Sequence, residues 1–148
     1  MRRLALASIT LALAACAMPT RPTLSSEAMP ARRVLAFQEV PSEPYGIATV
    51  TRDSGLLGGG CATGVSVDGT LAAVLERGQT AAFKLAAGKH ILSGVAYGEG
   101  LCNSNFQQRI RADQEIFIEA GKASAYRVAI NQGIQIMAMP VTQASPTP

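Results

Sequence analysis

The sequence predicts an all-β fold, a single antiparallel β-sandwich, on three observations. Apolar residues alternate with polar or small residues at a period of two, so that Ala81, Phe83 and Leu85 fall on one strand face. Turn sequences containing Gly or Asp separate such stretches at near-regular intervals. After residue 15 no helical pattern of about ten residues occurs, and short strands at this spacing are typical of a sandwich or a partly closed barrel.

The expected strands follow one another with short connections. They are residues 47–52, 64–67, 70–76, 80–85, 90–97, 107–112, 115–119, 125–130 and 134–139. Turn signals lie between them at Asp68-Gly69, Arg77-Gly78, Ala87-Gly88, Ala112-Asp113, Gly121-Lys122 and Gln132-Gly133. Asp side chains hydrogen-bond their own backbone in turns. We therefore expect Asp68 and Asp113 to be turn residues.

The first residues show the three-part pattern of a secretory leader. Met1-Arg2-Arg3 is basic, an apolar run extends from Leu4 to Ala15, and Cys16 follows directly. A mature transmembrane helix needs about 20 residues, so the shorter run indicates a signal helix instead. The segment Leu13-Ala14-Ala15-Cys16 resembles the lipobox of bacterial lipoproteins. This resemblance implies cleavage before Cys16 and its acylation; the alternative is an ordinary signal peptide cleaved after Ala15.

Lipidation of Cys16 would attach the chain to a membrane. Each buried acyl methylene contributes about 0.8 kcal/mol, and more than one acyl chain, palmitate for example, makes the attachment stable. Ala17 follows the cysteine, at the position where Asp favours the inner membrane in Gram-negative sorting. By analogy we expect a lipid anchor in the outer membrane, with the domain facing the periplasm.

The composition restricts the classes of partner. Without Arg2 and Arg3, 11 of the 13 basic residues remain against 10 acidic ones, so the mature chain has a net charge near +1. There is no basic block and no interleaving of aromatic and basic residues, so the sequence predicts no nucleic-acid partner. No second apolar run approaches the roughly 18 residues of a membrane span.

The three cysteines are expected to divide into one lipidated residue and one disulfide pair. With Cys16 acylated, Cys61 and Cys102 remain in an oxidising compartment, and both lie in glycine-rich, turn-like sequences. Two free thiols, or half of a metal site, are the alternative. Zinc would need ligands at close spacing, but the chain has no C-x-x-C and a single histidine. We therefore expect no metal and no cofactor.

The chain is expected to divide into four regions. Residues 1–15 are the leader, residues 16–44 the lipidated cysteine and a Pro-rich tether, residues 45–141 the sandwich, and residues 142–148 a disordered tail. The tether contains five prolines, which with its Ser and Thr residues favour a flexible linker. Within it, Val34 to Phe37 is interpreted as an added edge strand or a docking segment.

Three turn motifs occur in order within the predicted sandwich. They are Val65-Ser66-Val67-Asp68-Gly69, then Leu85-Ala86-Ala87-Gly88-Lys89-His90, then Ala120-Gly121. Together they resemble the PEGA-type modules of bacterial envelope proteins and small lipoproteins with the same outline. The resemblance covers residues 46–130 and implies a transthyretin-like or carboxypeptidase-regulatory-like sandwich with no catalytic residues to transfer. The Pro-Glu-Gly-Ala element itself is absent, and two Gly-Cys loops, residues 53–64 and 98–106, are enlarged.

No group of residues predicts an enzyme. His90 is the only histidine, and a catalytic base would need a nucleophile and an orienting carboxylate nearby, so it is interpreted as part of its turn. Gly58-Gly59-Gly60 lacks the Gly-Lys-Ser/Thr and the helix of a phosphate-binding loop. The carboxylates are scattered, which does not favour a glycosidase. Arg109 and Arg111 share one side of a predicted strand and indicate a solvated face or an anion-binding one.

The loop pair that the bridge would join is the strongest functional signal. Loops ordered before binding lose less entropy when a partner binds. The candidate binding residues are Leu56, Leu57, Leu101, Asn103, Asn105 and Phe106. The alternative is that the leucines and the phenylalanine cap the core. We expect a non-enzymatic binding or assembly module engaging an envelope protein or peptidoglycan; the second hypothesis is an inhibitor or immunity lipoprotein acting on a lysozyme or a toxin.

Overall fold

The computed structural model describes residues 21–24, 27–54, 60–105, 109–130 and 133–139. In these residues two five-stranded sheets are present, which confirms an all-β fold with a sandwich-like architecture. The leader, Cys16 and the tail lie outside the described residues.

The chain crosses repeatedly between the two sheets. The first sheet has the order β1-β6-β3-β9-β10 and the second the order β2-β5-β4-β7-β8. The strands are β1 Met29–Pro30, β2 Arg33–Val34, β3 Tyr45–Arg52, β4 Ala62–Val67, β5 Thr70–Leu75, β6 Gln79–Ala86, β7 Gly88–Tyr97, β8 Arg111–Ile118, β9 Ala123–Ile130 and β10 Ile134–Met139. A 3₁₀ helix, Gly100–Asn103, follows β7.

The period-two pattern places the apolar faces of the two sheets against each other. Val50, Phe83 and Val128 of the first sheet are completely buried. Val65, Leu75 and Leu92 of the second sheet are also completely buried and belong to the same hydrophobic cluster. The alternation of these strands is therefore explained by one shared core, because successive side chains point to opposite faces of a sheet.

The predicted turn at Asp68-Gly69 is present, whereas the one at Ala112-Asp113 is not. Asp68 and Gly69 have φ values of 50° and 80° and join β4 to β5. Asp113 instead lies inside β8, opposite Ser93 of β7, and the Ser93 hydroxyl donates to its carboxylate at 2.5 Å. The two strands predicted at residues 107–112 and 115–119 are thus replaced by one, because Asp113 bonds across the sheet rather than to its own backbone. Arg109 lies outside this strand, so it does not share a strand face with Arg111.

Only the second sheet is wholly antiparallel. In the first sheet β3 pairs with β9 in parallel, with Ile47 opposite Ala123, and β1 pairs with β6 in parallel. Between β3 and β9 the chain passes through the second sheet and returns. The return brings β9 beside β3 in the same direction, so the expectation of a wholly antiparallel sandwich is corrected here.

The segment expected to be an unpacked tether contacts both sheets in its described part. The Met29 amide donates to the Gly78 carbonyl at 2.9 Å, and the Leu35 amide donates to the Ala72 carbonyl at 2.8 Å. The Phe37 ring packs edge-on against the buried Phe83 ring, with centroids 6.5 Å apart. This segment therefore packs along one edge of each sheet in spite of its prolines. Its backbone groups form hydrogen bonds there, and one aromatic ring contacts the core.

Candidate functional site at the disulfide end

The predicted disulfide between Cys61 and Cys102 is present, with its Cα atoms 5.4 Å apart. Cys61 lies just before β4, and Cys102 lies in the 3₁₀ helix that follows β7. Ala62 and Tyr97 are opposite each other at the adjoining ends of these two strands. The bridge therefore links β4 and β7 covalently at the end of their antiparallel pairing, and it fixes the turn that follows β7.

Three of the six candidate binding residues lie on the described part of this end, and all three are exposed. The Leu101 side chain is 84% exposed, although leucine is among the most apolar residues. Asn103 and Asn105 are exposed beside it. The turn is held by the bridge and by amide hydrogen bonds from Cys102 to Glu99 and from Ser104 to Leu101, each 3.2 Å long. Leu56, Leu57 and Phe106 lie outside the described residues.

A groove of about 590 Å³ lies next to the bridged loops and brings together charges of both signs. Arg32 and Arg33 come from the N-terminal segment, whereas Glu99 precedes the 3₁₀ helix. The Arg33 guanidinium lies 5.3 Å from the centroid of the Tyr97 ring, a cation–π distance. The groove therefore has an oriented aromatic ring and a polar rim. Sequence reasoning did not single out these residues, because the arginines and Tyr97 are far apart in the chain.

A second cavity, of about 320 Å³, is lined by two arginines and by residues of the bridged loop. Arg52 is only 2% exposed and donates from Nη1 to the Leu75 carbonyl at 2.9 Å. Burial and the positive charge of Arg77 lower the pKa of Arg52 to about 10, against the opposing effect of Glu76. It is therefore still protonated at neutral pH. The period-two pattern could have indicated that Arg52 is buried, since Arg52 follows Ala48 and Val50 on the same face of β3.

A partly buried ion pair supports the same end from the first sheet. Arg127 of β9 binds the carboxylate of Asp53, which is 2% exposed, through both Nε and Nη2. The Thr23 hydroxyl donates to the Arg52 carbonyl at 3.2 Å and thereby ties the N-terminal segment to this corner. The pair joins β9 to the residue that directly follows β3. No local pattern indicates it, because its partners are 74 positions apart.

His90 lies at the other end of β7, where both of its ring nitrogens contact oxygen atoms. Its Nδ1 atom is 2.6 Å from Asp68 Oδ2, and its Nε2 atom is 2.8 Å from the Ala86 carbonyl oxygen. Asp68 Oδ1 also accepts the Ile91 amide at 2.8 Å. These contacts tie the β4–β5 turn to the β6–β7 turn, which agrees with the interpretation of His90 as part of its turn.

Two features are absent from the residues that the structure describes. Within residues 21–24, 27–54, 60–105, 109–130 and 133–139, no three His, Cys, Asp or Glu side chains are grouped as metal ligands would be. In the same ranges no helix has the length and apolar character to cross a membrane.

The chain matches no protein-family model, no curated protein and no solved structure. The candidate functional site is therefore defined by the geometry of the disulfide end alone.

Proposed function

We propose that this chain is a non-enzymatic, membrane-anchored binding module whose disulfide-bridged end engages an envelope protein or peptidoglycan. The observation that carries the proposal is the exposure of Leu101 on a turn fixed by the Cys61–Cys102 bridge. Burial of an exposed leucine against a partner is favourable, because it removes apolar surface from water. Since the turn is already ordered, little loop entropy is lost on binding.

The groove next to the bridged loops supplies the polar rim that such a contact needs. Protein interfaces commonly place an apolar centre within a polar, partly hydrated rim. Tyr and Arg are enriched among the residues that contribute most to binding. Tyr97, with Arg33 over its ring, and Glu99 provide that combination at the same end of the sandwich.

The lipid anchor and the finer fold belong to the same proposal. Cleavage before Cys16 and its acylation are supported by the lipobox-like sequence and would hold the module at the periplasmic face of the outer membrane. A PEGA-like or transthyretin-like topology is supported by the positive φ values of Gly69, Gly88 and Gly121, at turns of the three motifs.

Cross-linking in intact cells tests the binding surface. We expect Leu101→Asp to remove the cross-linked product, because a carboxylate at the centre of an apolar contact weakens binding by about tenfold or more. Phe117→Asp is the matched control: this side chain is 61% exposed but lies on β8, opposite Lys89 and so away from the bridge. A product retained in the Leu101 variant, or lost equally in both variants, contradicts the proposed surface.

Mass spectrometry of the mature protein tests the anchor independently. We expect the chain to begin at Cys16 with the mass of covalently attached fatty acids. An unmodified terminus contradicts the anchor, whatever the cross-linking result.

A second candidate function is inhibition of a lysozyme or of a toxin, which the projecting Leu101 also favours because inhibitors of this kind insert a single loop. Addition of the purified protein to a lysozyme assay at micromolar concentration tests it. If this function applies, we expect the wild-type protein to inhibit the lysozyme and Leu101→Asp to abolish that inhibition. If neither protein inhibits the lysozyme, this second function is ruled out.

A further inference from the structure

Strand β10, Ile134–Met139, is the last strand of the first sheet. Among the described residues it pairs with β9 alone, so the other side of its backbone faces away from the sheet. Its six residues, Ile-Gln-Ile-Met-Ala-Met, contain neither a charged residue nor a proline. An uncharged, regular edge strand is a template for pairing with a further strand.

The other sheet edges in the described structure carry features that discourage such pairing. Strand β8 presents Arg111, Asp113 and Glu115, and charged residues are a common protection of edges. Strand β1 ends in Pro30, which lacks an amide hydrogen, and β2 has only two residues. The absence of protection is therefore specific to β10.

Of the β9 residues that lie opposite β10, Arg127 alone is charged. Arg127 lies opposite Met137 on the neighbouring strand, but its guanidinium is paired with the buried Asp53 carboxylate. Ile134 and Ile136 point into the core, and each is 9% exposed. Met137 and Met139 lie on the outer face of the same strand and are half-buried.

We propose that β10 pairs in antiparallel fashion with β10 of a second copy of this chain, so that the two first sheets become continuous. A two-fold axis perpendicular to the sheet at Met137 places this residue opposite its own copy. Because paired residues share a face, Ile136 then lies opposite Ala138 on the core side, and Gln135 lies opposite Met139 on the outer side. A second copy fits because two β10 strands present the same alternation of core-facing and outer residues. Neither strand carries a charge, so no like charges lie opposite each other. This inference does not depend on the function proposed for the disulfide end.

Sedimentation of the full chain in detergent micelles tests the pairing. We expect the wild-type chain to have the mass of two copies. Met137→Glu places a carboxylate beside Arg127 within one copy, which favours folding, but it opposes two carboxylates across the axis. We expect it to raise the dissociation constant of the dimer by about tenfold or more, since like charges directly opposite destabilise strand pairing.

Two further variants guard against a change in folding. Gln135→Glu is isosteric and exposed, and we expect a smaller shift toward the monomer. Phe117→Glu adds the same charge to the already charged β8, and we expect the mass of the dimer to be retained. A monomeric wild-type chain, as when residues 140–148 occupy the edge instead, overturns the proposal. A dimer that neither β10 variant weakens also overturns it.

Discussion

At the scale of single residues, His90 shows how a turn residue acquires an electrostatic role. Both of its ring nitrogens face acceptor oxygens, one from Asp68 and one from the Ala86 carbonyl. Only the doubly protonated imidazolium donates from both nitrogens. Burial by itself would lower the pKa of His90, but the hydrogen bonds to Asp68 and Ala86 and the charge of Asp68 outweigh it and raise that pKa. Burial opposes the charged form of Asp68 too, yet the Ile91 amide and His90 lower its pKa.

These shifts predict a window of maximum stability. Because the folded pKa of His90 is raised, its contribution is complete below its ordinary pKa of 6.5 and is lost as the pH rises through the raised value. The contribution of Asp68 is complete above 3.8 and is lost as the pH falls through its lowered pKa. We expect urea unfolding to show a fall in stability from pH 6 to pH 8.5 that is smaller in His90→Gln. An identical fall in both proteins would assign it to other groups.

At the scale of elements, the N-terminal segment joins the sandwich through one aromatic contact and several backbone hydrogen bonds. Phe37 is partly buried against the core cluster, and the Lys84 amide donates to its carbonyl at 2.8 Å. The prolines of the segment do not prevent this, because β1 pairs over only two residues and Pro30 ends it. The segment thus forms part of the folded unit rather than a free linker.

This packing predicts the effect of truncating the Phe37 side chain. We expect Phe37→Ala to lower the free energy of unfolding by about 2–3 kcal/mol, since it removes a partly buried ring from its contact with Phe83. Leu35→Ala, in the same segment but 52% exposed, is expected to cost about 0.5 kcal/mol or less. Denaturant unfolding measures both, and equal small effects would mean that the segment contributes nothing to the fold.

At the scale of the whole molecule, the disulfide is the covalent link between the core and the candidate binding surface. It spans 41 positions and joins the start of β4 to the turn after β7. In the chain-entropy model a loop of this length contributes about 4 kcal/mol, because the bridge restricts the unfolded chain. The same link holds the turn that carries Leu101, so the proposed binding surface depends on the bridge.

Removal of the bridge is therefore expected to affect both properties. We expect Cys61→Ser with Cys102→Ser to lower the free energy of unfolding by about 4 kcal/mol and to weaken the Leu101-dependent cross-link. A reducing agent should destabilise the wild-type chain and leave the double variant unchanged. Retained stability in the double variant would show that the loops are ordered without the bridge.

The amino-acid sequence by itself determined the features that depend on near neighbours in the chain. The alternation through Ala81, Phe83 and Leu85 predicted a strand with one buried face, and Asp68-Gly69 predicted a tight turn, because both signals are local. The pairing of Cys61 with Cys102 followed from their number and surroundings, whereas the lipid on Cys16 stays a prediction.

Only the tertiary structure decided the features that depend on distant partners. Asp113 continues a strand because Ser93 and Arg111 bond its carboxylate. Strand β3 accepts β9 in parallel because the chain returns from the second sheet, and the partly buried pair of Asp53 and Arg127 then joins β9 to the residue that follows β3. The groove at Tyr97 exists because Arg33 arrives from 64 positions away. Such contacts leave no periodic trace in the sequence, since each residue is compatible with a solvent-exposed position until its partner is brought beside it.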